Sequence, residues 1–377
     1  MSGTSLDGLD IALCAIRGSG LQTQVTLKAF TTVVYTDAFR QAIRAVFSKK
    51  MVDLETLCLL NPWVGLEHGR MVLSALSEWQ VNPAEVDLLA SHGQTIYHAP
   101  QSLHGRAGFG HATLQIGDGD HLAVTTGIIT LSDFRQKHIA GGGEGAPLAV
   151  YGDYFIFSQP GEDRILLNIG GIANFTWLPA NMDPGEIFST DTGPGNTLMD
   201  AYVQQHFNLP FDAEAGLARQ GEESTALLSA LLDHGFFQAG FPKTTGPELF
   251  HLEYLRQAQS SSGTLGMGHH DVLATLAAFT ATTVADAMEK IMDPQKPFKV
   301  FASGGGMHNP LVMEKIKNRF PGLLMGTTAD LQVNPDAKEA VLFAVLANEA
   351  IAGGDTPIGS GKAGIPAITM GKISFPG

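Results

Sequence analysis

Four short segments concentrate the residue types that handle phosphate, sugar or water. The first, Ser2-Gly-Thr-Ser-Leu-Asp-Gly-Leu-Asp10, is a Gly/Ser/Thr turn leading into an apolar run. Such a turn can aim backbone N–H groups and hydroxyls at phosphate oxygens. Asp7 and Asp10 offer the hard carboxylate oxygens that Mg²⁺ takes alongside phosphate and water. An ordinary hairpin with Asx and Ser/Thr turn bonds explains the same residues equally well. The second segment, Leu167 to Asn174, reads as strand, Gly170-Gly171 turn, strand, and on its own is a plain hairpin. The third, Asp191-Thr-Gly-Pro-Gly-Asn196, sets a carboxylate at a strand end against glycines that let a ligand approach. That arrangement suits a general base; the competing reading is an Asp that braces its turn, and the glycine-proline-glycine neighbourhood favours the base. The fourth, Ala302 to Asn309, follows a strand with Gly304, Gly305 and Gly306, which permit a flat backbone approach to a nucleotide base or sugar.

Familiar alternatives are missing. The chain has no GxxxxGK[ST] phosphate loop, no GxSxG elbow and no HExxH pair. Gly141-Gly-Gly-Glu-Gly-Ala146 fits the loose dinucleotide pattern without its strand-to-helix setting. Among 13 His, the His269-His270-Asp271 run invites a metal, but neighbouring residues on a helix project in different directions. These residues are expected to open a helix over Asp271 to Met288.

The elements that must position the four segments follow from patterning. Ile11–Ile16 and Gln24–Tyr35 read as strands rich in β-branched residues. Thr36 caps a helix with Phe39, Ile43, Val46 and Phe47 on one face, and Leu54–Trp79 is helical. Val86–Ser91 is a buried strand running into the turn His92-Gly-Gln-Thr95. After a glycine-rich break over Asp133–Pro147 the theme restarts, with strands at Arg164–Ile169, Ala173–Trp177 and Phe298–Ala302. A helix over Asp336–Ile351 has Val341, Ala344, Val345 and Asn348 among the candidates for its buried face. A strand-turn-strand opening in each half hints at duplication. The reading is α/β, with two similar lobes, mixed sheets flanked by helices, and a cleft between the lobes.

Composition narrows the function classes. At roughly 100–200 residues per domain, 377 residues suggest two domains. With 23 Lys+Arg against 37 Asp+Glu, the formal charge of −14 argues against a nucleic-acid-binding face. Apolar residues at 44% exclude disorder as the organising principle. The 44 Gly cluster in short loops between apolar runs, and the two cysteines, Cys14 and Cys58, imply a reducing compartment without a disulfide framework. No basic-then-apolar leader opens the chain, and no apolar run approaches the 18 or so residues that cross a bilayer. The expectation is a cytoplasmic protein with no membrane partner.

Together the loops resemble the sugar kinase/actin/chaperone-ATPase superfamily. The segments SGTSLDGLD, SHGQT, GGGEGAPL, LNIGGIAN, DTGPGN, SGGGMHNP and DAKEA resemble one member family in particular, the anhydro-N-acetylmuramic acid kinases. The likeness runs from residue 2 to about residue 370, and GTSxDGxD together with DTGPGN is far more specific than any single glycine loop.

This resemblance implies two duplicated actin-like (ribonuclease H-like) lobes. One covers 1–135, a second 136–355, and the segment 356–377 returns to the first. It implies hydrolytic opening of 1,6-anhydro-N-acetylmuramic acid and phosphorylation of its 6-oxygen by ATP with Mg²⁺, in peptidoglycan recycling. Asp191 falls on the family's general base. Phosphate and nucleotide contacts fall on Gly3, Thr4, Ser5, Asp7, Gly8, Asp10, Gly170, Gly171, Asn174, Gly304, Gly305 and Gly306. Asp7 and Asp10 fall at the metal. Sugar contacts fall on His92, Gln94, Thr95, Arg135, Gly193, Asn196 and Glu339. The partner is a small amino sugar, and a homodimer is implied. A different sugar kinase of the superfamily, or a nucleotide-binding regulator with little turnover, are the alternative readings.

Three departures from the family pattern stand out. Met1 directly precedes Ser2, where the family has a short apolar strand, so the first sheet is expected to be one strand short and its phosphate loop poorly anchored. His138 and Glu144 stand where Asp and Gln are expected, and Pro247 where Arg is expected.

Overall fold

In a computed structural model, the structure describes residues 1–377 apart from 4–5, 247, 294–295, 297, 332, 355, 357 and 359–364. The chain divides into two compact units. Met1–Ser158, Asp183–Ile187 and Asp336–Gly377 form the first, and Gln159–Met182 with Phe188–Pro335 the second. Residues 136–158 and 336–355 thus belong with the N-terminal unit, whereas the sequence reading assigned them to the second lobe. The reason is local packing. The helix Lys338–Ala352 is held to the N-terminal residues, with Gly20 N–H donating to Glu349 Oε2 at 2.8 Å and Asn348 Nδ2 to the Gly18 carbonyl at 3.0 Å, and the helix Ala149–Phe157 follows it through a largely buried Lys338–Asp153 ion pair at 3.1 Å. Tyr151 Oη also donates to the Pro366 carbonyl at 2.7 Å.

In the first unit, β1 (Gly8–Arg17) and β2 (Gln24–Val34) form an antiparallel pair. Thr36 accepts from the Phe39 N–H and starts α1 (Asp37–Arg44), which turns Phe39 and Ile43 inward. Asp53 caps α2 (Leu54–Glu78) in the same way. The strand expected over Val86–Ser91 is shorter: β3 is Leu89–Ser91, because Pro83–Glu85 forms a 3₁₀ turn with a capping box. Next come β4 (Gln94–Ala99), β5 (Ala112–Ile116), α3 (Gly119–Thr126), β6 (Thr130–Ser132) and α4 (Phe134–Ala140). β3 runs parallel to β6, whose other edge takes the antiparallel strand Lys372–Ser374. β4 and β5 form a hairpin. A groove of about 530 Å³ separates β1 from β3, lined by Leu9, Ile11, Leu13, Leu89 and Ala344. Met1 is nonetheless tied down: its ammonium donates to the Asp10 carbonyl at 2.6 Å.

The second unit is built on one five-stranded mixed sheet. Its strands are β7 (Asp163–Ile169), β8 (Ile172–Leu178), β9 (Phe188–Pro194), β10 (Phe298–Ser303) and β11 (Leu324–Thr327), in the order β11-β10-β7-β8-β9. β11, β10 and β7 run parallel to one another, and β8 is antiparallel to both β7 and β9. α5 (Thr197–Phe207), α6 (His269–Glu289) and α7 (Pro310–Arg319) pack an apolar core with Ile165, Leu167, Phe175, Val203, Leu276, Phe279 and Val300. Contrary to the expectation from hydropathy, α6 is long and apolar enough to cross a membrane. Here most of its residues are buried in this core.

Candidate active site

In the second unit, three glycine turns meet at one end of the sheet. The Gly170-Gly171 turn between β7 and β8 receives the start of α5. Gly195 N–H donates to the Gly171 carbonyl at 2.9 Å, Asn196 N–H to the Gly170 carbonyl at 2.8 Å, and Thr197 Oγ1 to Gly171 at 2.7 Å. Gly304 follows β10 at φ +82°, and a Cβ there would lie 2.5 Å from Asn168 Oδ1 and 2.7 Å from the Ile169 carbonyl. Gly306 is packed against Ile169, while Gly305 is exposed, with Asn196 Nδ2 3.8 Å from where a Cβ would be. Two of these three glycines are therefore required by the protein's own packing, and Gly305 is the one that faces solvent.

Asp191 lies on β9, opposite Asn174 across the β8–β9 ladder and just past a register shift. Beyond β8, the other edge of β9 is occupied by Lys243–Thr245. Asp191 N–H donates to the Lys243 carbonyl at 2.9 Å, Lys243 N–H to Thr190 Oγ1 at 3.0 Å, and Thr245 N–H to Asp191 Oδ2 at 2.8 Å. Burial raises the Asp191 carboxyl from the ordinary 3.8 to about 6; the Thr245 N–H and the Lys243 ammonium oppose the rise and the Glu248 carboxylate adds to it. An ordinary, unperturbed Asp is therefore not what stands here. Gly193 takes φ +153°, beyond the reach of most side chains, and packs beside Thr283.

In the first unit, the predicted residues fall into a brace and an opening. The brace is a buried chain of hydrogen bonds. The Tyr35 hydroxyl, 2.9 Å from His68 Nε2, donates to Ser2 Oγ at 2.7 Å, and Ser2 Oγ donates to Gln94 Oε1 at 2.5 Å. Gln94 Nε2 reaches the Gly3 and Thr95 carbonyls at 3.3 and 3.2 Å. Burial holds His68 neutral, with its pKa lowered to about 3, and with the Tyr35 proton spent on Ser2 its Nε2 must be the donor. Gln94 is wholly buried and its amide is spent on the N-terminal turn. The expectation of a poorly anchored turn thus meets a firm anchor at Ser2 and Gly3; Thr4 and Ser5 lie outside the described residues. Tyr35→Phe is expected to strand both Ser2 Oγ and His68 Nε2 and to lower stability by about 1–2 kcal/mol in urea unfolding.

The opening is edged by the half-buried Arg135 and the exposed Glu339, with the buried His92 behind Arg135. His92 Nδ1 donates to the Gly93 carbonyl at 2.9 Å and Nε2 accepts from Arg135 Nε at 2.9 Å, while Arg135 Nη1 donates to the Gly145 carbonyl at 2.6 Å. Burial and the Arg135 charge keep His92 neutral, near 3. Glu339, in the first turn of Lys338–Ala352, opens to solvent yet is walled by protein. Its carboxyl is pushed above the ordinary range by that desolvation, against the pull of Lys338, the N-terminal ammonium and Arg135. Thr95 is half-buried and accepts from Gln115 Nε2 at 3.2 Å.

Of the two candidate metal ligands, Asp7 Oδ1 accepts from the Gly8 N–H at 3.0 Å and Asp10 Oδ1 from Thr32 Oγ1 at 2.6 Å. Gly8 is buried against the Val33 backbone. Among the described residues no group of three or more His, Cys, Asp or Glu side chains gathers to hold an ion. A pair of carboxylates still fits Mg²⁺, which is commonly held by one or two carboxylates plus water and the phosphates of its nucleotide.

The departures have structural consequences. His138 is fully buried; its Nδ1 accepts the Gly145 N–H at 2.9 Å, the task a carboxylate oxygen would also perform. Its Nε2 has no partner among the described residues. Glu144 is 3.7 Å from His111. Pro247 lies outside the described residues. Sequence reasoning did not single out Tyr35, His68 or Thr245 for the site. A polar side chain on the inward face of the otherwise apolar α2 was the one available signal for His68.

The family model for anhydro-N-acetylmuramic acid kinase matches residues 1–375. Among curated relatives, the anhydro-N-acetylmuramic acid kinase of Pseudoalteromonas atlantica is 58% identical over 100% of this chain and 94% of its own length. That of Caldanaerobacter subterraneus subsp. tengcongensis is 37% identical over 100% of this chain and 96% of its own, and that of Bacillus cereus 34% over 100% and 98%.

Proposed function

The chain belongs to the anhydro-N-acetylmuramic acid kinase family, and from that premise we propose that it opens the 1,6-anhydro bridge of anhydro-N-acetylmuramic acid with water and phosphorylates the released 6-oxygen from ATP, in peptidoglycan recycling. Asp191 is the general base. It draws a proton from water as the water oxygen bonds to the anomeric carbon and the bond from that carbon to O6 breaks. O6 then bonds to the γ-phosphorus, the bond from that phosphorus to the β-phosphate oxygen breaks, and ADP leaves. The proton held by Asp191 passes to solvent, so one water and one ATP are consumed and one proton is released.

The observation that carries this reading is the Asp191 carboxyl itself, raised to about 6 beside the Gly193–Asn196 turn. A base works best when its pKa lies near the working pH, and a group of pKa 6 is about 90% ionised at pH 7. Gly170, Gly171, Asn174 and Gly304–Gly306 serve the nucleotide, with Gly193 and Asn196 beside the base. Gly3, Thr4, Ser5, Gly8, Asp7 and Asp10 serve the phosphates. Asp7 and Asp10 would hold Mg²⁺ with the nucleotide, and the ion would there neutralise charge on phosphate oxygens. His92 orients Arg135, and Arg135, Glu339 and Thr95 serve the sugar; Gln94 acts by holding the N-terminal turn.

The test is ADP release with anhydro-N-acetylmuramic acid, N-acetylmuramic acid and simple hexoses, run in oxygen-18 water. ADP release confined to the anhydro sugar, with label at the anomeric hydroxyl under conditions that block exchange, is expected. Equal turnover on hexoses, or an unlabelled product, would overturn the proposal.

A further inference from the structure

Lys243 is held from both its main chain and its side chain. Its carbonyl accepts from Asp191 N–H and its own N–H donates to Thr190 Oγ1. Its side chain leaves this strand-like contact and enters an aromatic box around the short helical turn Gly235–Gln238. Nζ donates to the Phe236 carbonyl at 2.8 Å and stands 4.2 Å from the Phe236 ring centroid, 5.6 Å from Phe241 and 5.8 Å from Phe237. A cation over three rings and one carbonyl is anchored more firmly than a solvated lysine. No carboxylate forms an ion pair with it among the described residues.

We propose that Lys243 is a positioning residue for Asp191: its main chain holds the Asp191 backbone on the edge of β9, where the Thr245 N–H meets the carboxylate, and its boxed ammonium is the cation that faces that carboxylate. This rests on the reading of Asp191 as the base. The charged groups around the pair are Glu248, which faces Asp191, and Lys290, which faces Lys243 from the end of α6, donates to the Phe237 carbonyl at 3.0 Å and lies near Asp286. Burial, and after it the Lys290 charge, lower Lys243 to about 8, against the pull of Asp191. The cation is therefore present where Asp191 has ionised, and is lost above pH 8. Its loss removes the favourable field on the carboxylate and loosens the box that anchors the Lys243–Thr245 edge.

The experiment compares the pH dependence of kcat/KM for the full chain with Lys243→Met, Lys243→Arg and Asp191→Asn. The unaltered chain is expected to show an acid limb near pH 6 and an alkaline decline near pH 8. Lys243→Met, which lacks the cation at every pH, is expected to move the acid limb upward by up to about one pH unit, the low end of what a neighbouring opposite charge produces, and to show a lowered plateau with no decline near pH 8, because the box is loosened throughout. Lys243→Arg, always charged, is expected to keep the acid limb and push the alkaline decline past pH 9. An unmoved acid limb in Lys243→Met, with Asp191→Asn inactive, would overturn the role of Lys243. An active Asp191→Asn would instead overturn the base itself. Melting temperatures provide a readout free of turnover. The stability difference between Asp and Asn at 191, followed against pH, reports ionisation of the carboxyl, and that transition must move upward in the Lys243→Met background. If Lys243→Met does not fold, the alkaline limb of Lys243→Arg decides alone: an unmoved limb rejects the proposal.

Discussion

Asp191→Asn is expected to lose turnover by about 10²–10⁴-fold, the range that a positioned general base supplies, while ATP affinity is retained. The same substitution is expected to raise stability at neutral pH. The folded pKa of Asp191 is raised to about 6, above the ordinary 3.8, so between these values the folded chain binds a proton that the unfolded chain does not. Stability from this group is therefore present below pH 4 and is lost as pH rises through 6. At pH 7 the buried charge costs up to about 3 kcal/mol, at 1.36 kcal/mol per pKa unit. Asn removes that cost and its side-chain oxygen can still accept the Thr245 N–H. A higher melting temperature at pH 7 together with a near-dead enzyme is the signature of a site that gives up stability for chemistry. A melting temperature unchanged across pH 4–8 would mean that burial does not raise the carboxyl. Retained turnover would remove Asp191 as the base.

Gly195→Ala is expected to damage fold and activity together. A Cβ at Gly195 would overlap the Gly170 carbonyl oxygen and crowd Ala173 N at 3.3 Å. Neither is a side chain that can swing away, and Gly170 and Gly171 are tied to Gly195, Asn196 and Thr197 by hydrogen bonds. Relief requires separating the β7–β8 turn from the start of α5. Overpacking of this kind costs about 1–3 kcal/mol, which for a large domain is roughly 2–12 °C of melting temperature at 2–4 °C per kcal/mol. A displacement on the order of 1 Å at the neighbouring base costs about 10²-fold in rate. Gly305→Ala is the matched control: its Cβ would meet Asn196 Nδ2 at 3.8 Å, ordinary contact, so the melting temperature is expected to hold. Equal losses in the two variants would show that backbone crowding at Gly195 is not the cause.

Much of the secondary structure was legible because each signal was local. Thr36 caps α1 through its own hydroxyl three residues ahead, and alternation along Gln24–Val34 needs no distant partner to declare a strand. The helix Lys338–Ala352 carries Val341 and Val345 inward as its spacing requires. Where a turn intervened, the reading overshot, as at Val86–Leu88 ahead of β3. The unit boundary differs because 336–352 and 136–158 are tied to segments of the first unit far away in sequence, by Gly20–Glu349, Gly18–Asn348 and Tyr151–Pro366 hydrogen bonds. The sequence reading also passed over α6, which is long and apolar enough to cross a membrane. The apolar character of α6 answers to a protein core on most of its faces, and burial is a property of neighbours.

The sequence by itself determined which groups are available: a carboxylate beside Gly-Pro-Gly at Asp191, glycine turns at 170–171 and 304–306, and a family pattern running the length of the chain. The state of those groups comes from the folded chain. It buries Asp191 enough to raise it toward neutrality, spends the Gln94 amide on Ser2 and Gly3, and assigns Gly304 and Gly306 to the protein's own packing. It also brings Lys243, more than 50 residues away, against the edge of β9. Residue type sets the chemistry a side chain can perform. Its desolvation, its hydrogen-bond partners and the charges around it come from chain segments distant in sequence, and those set its protonation and its orientation.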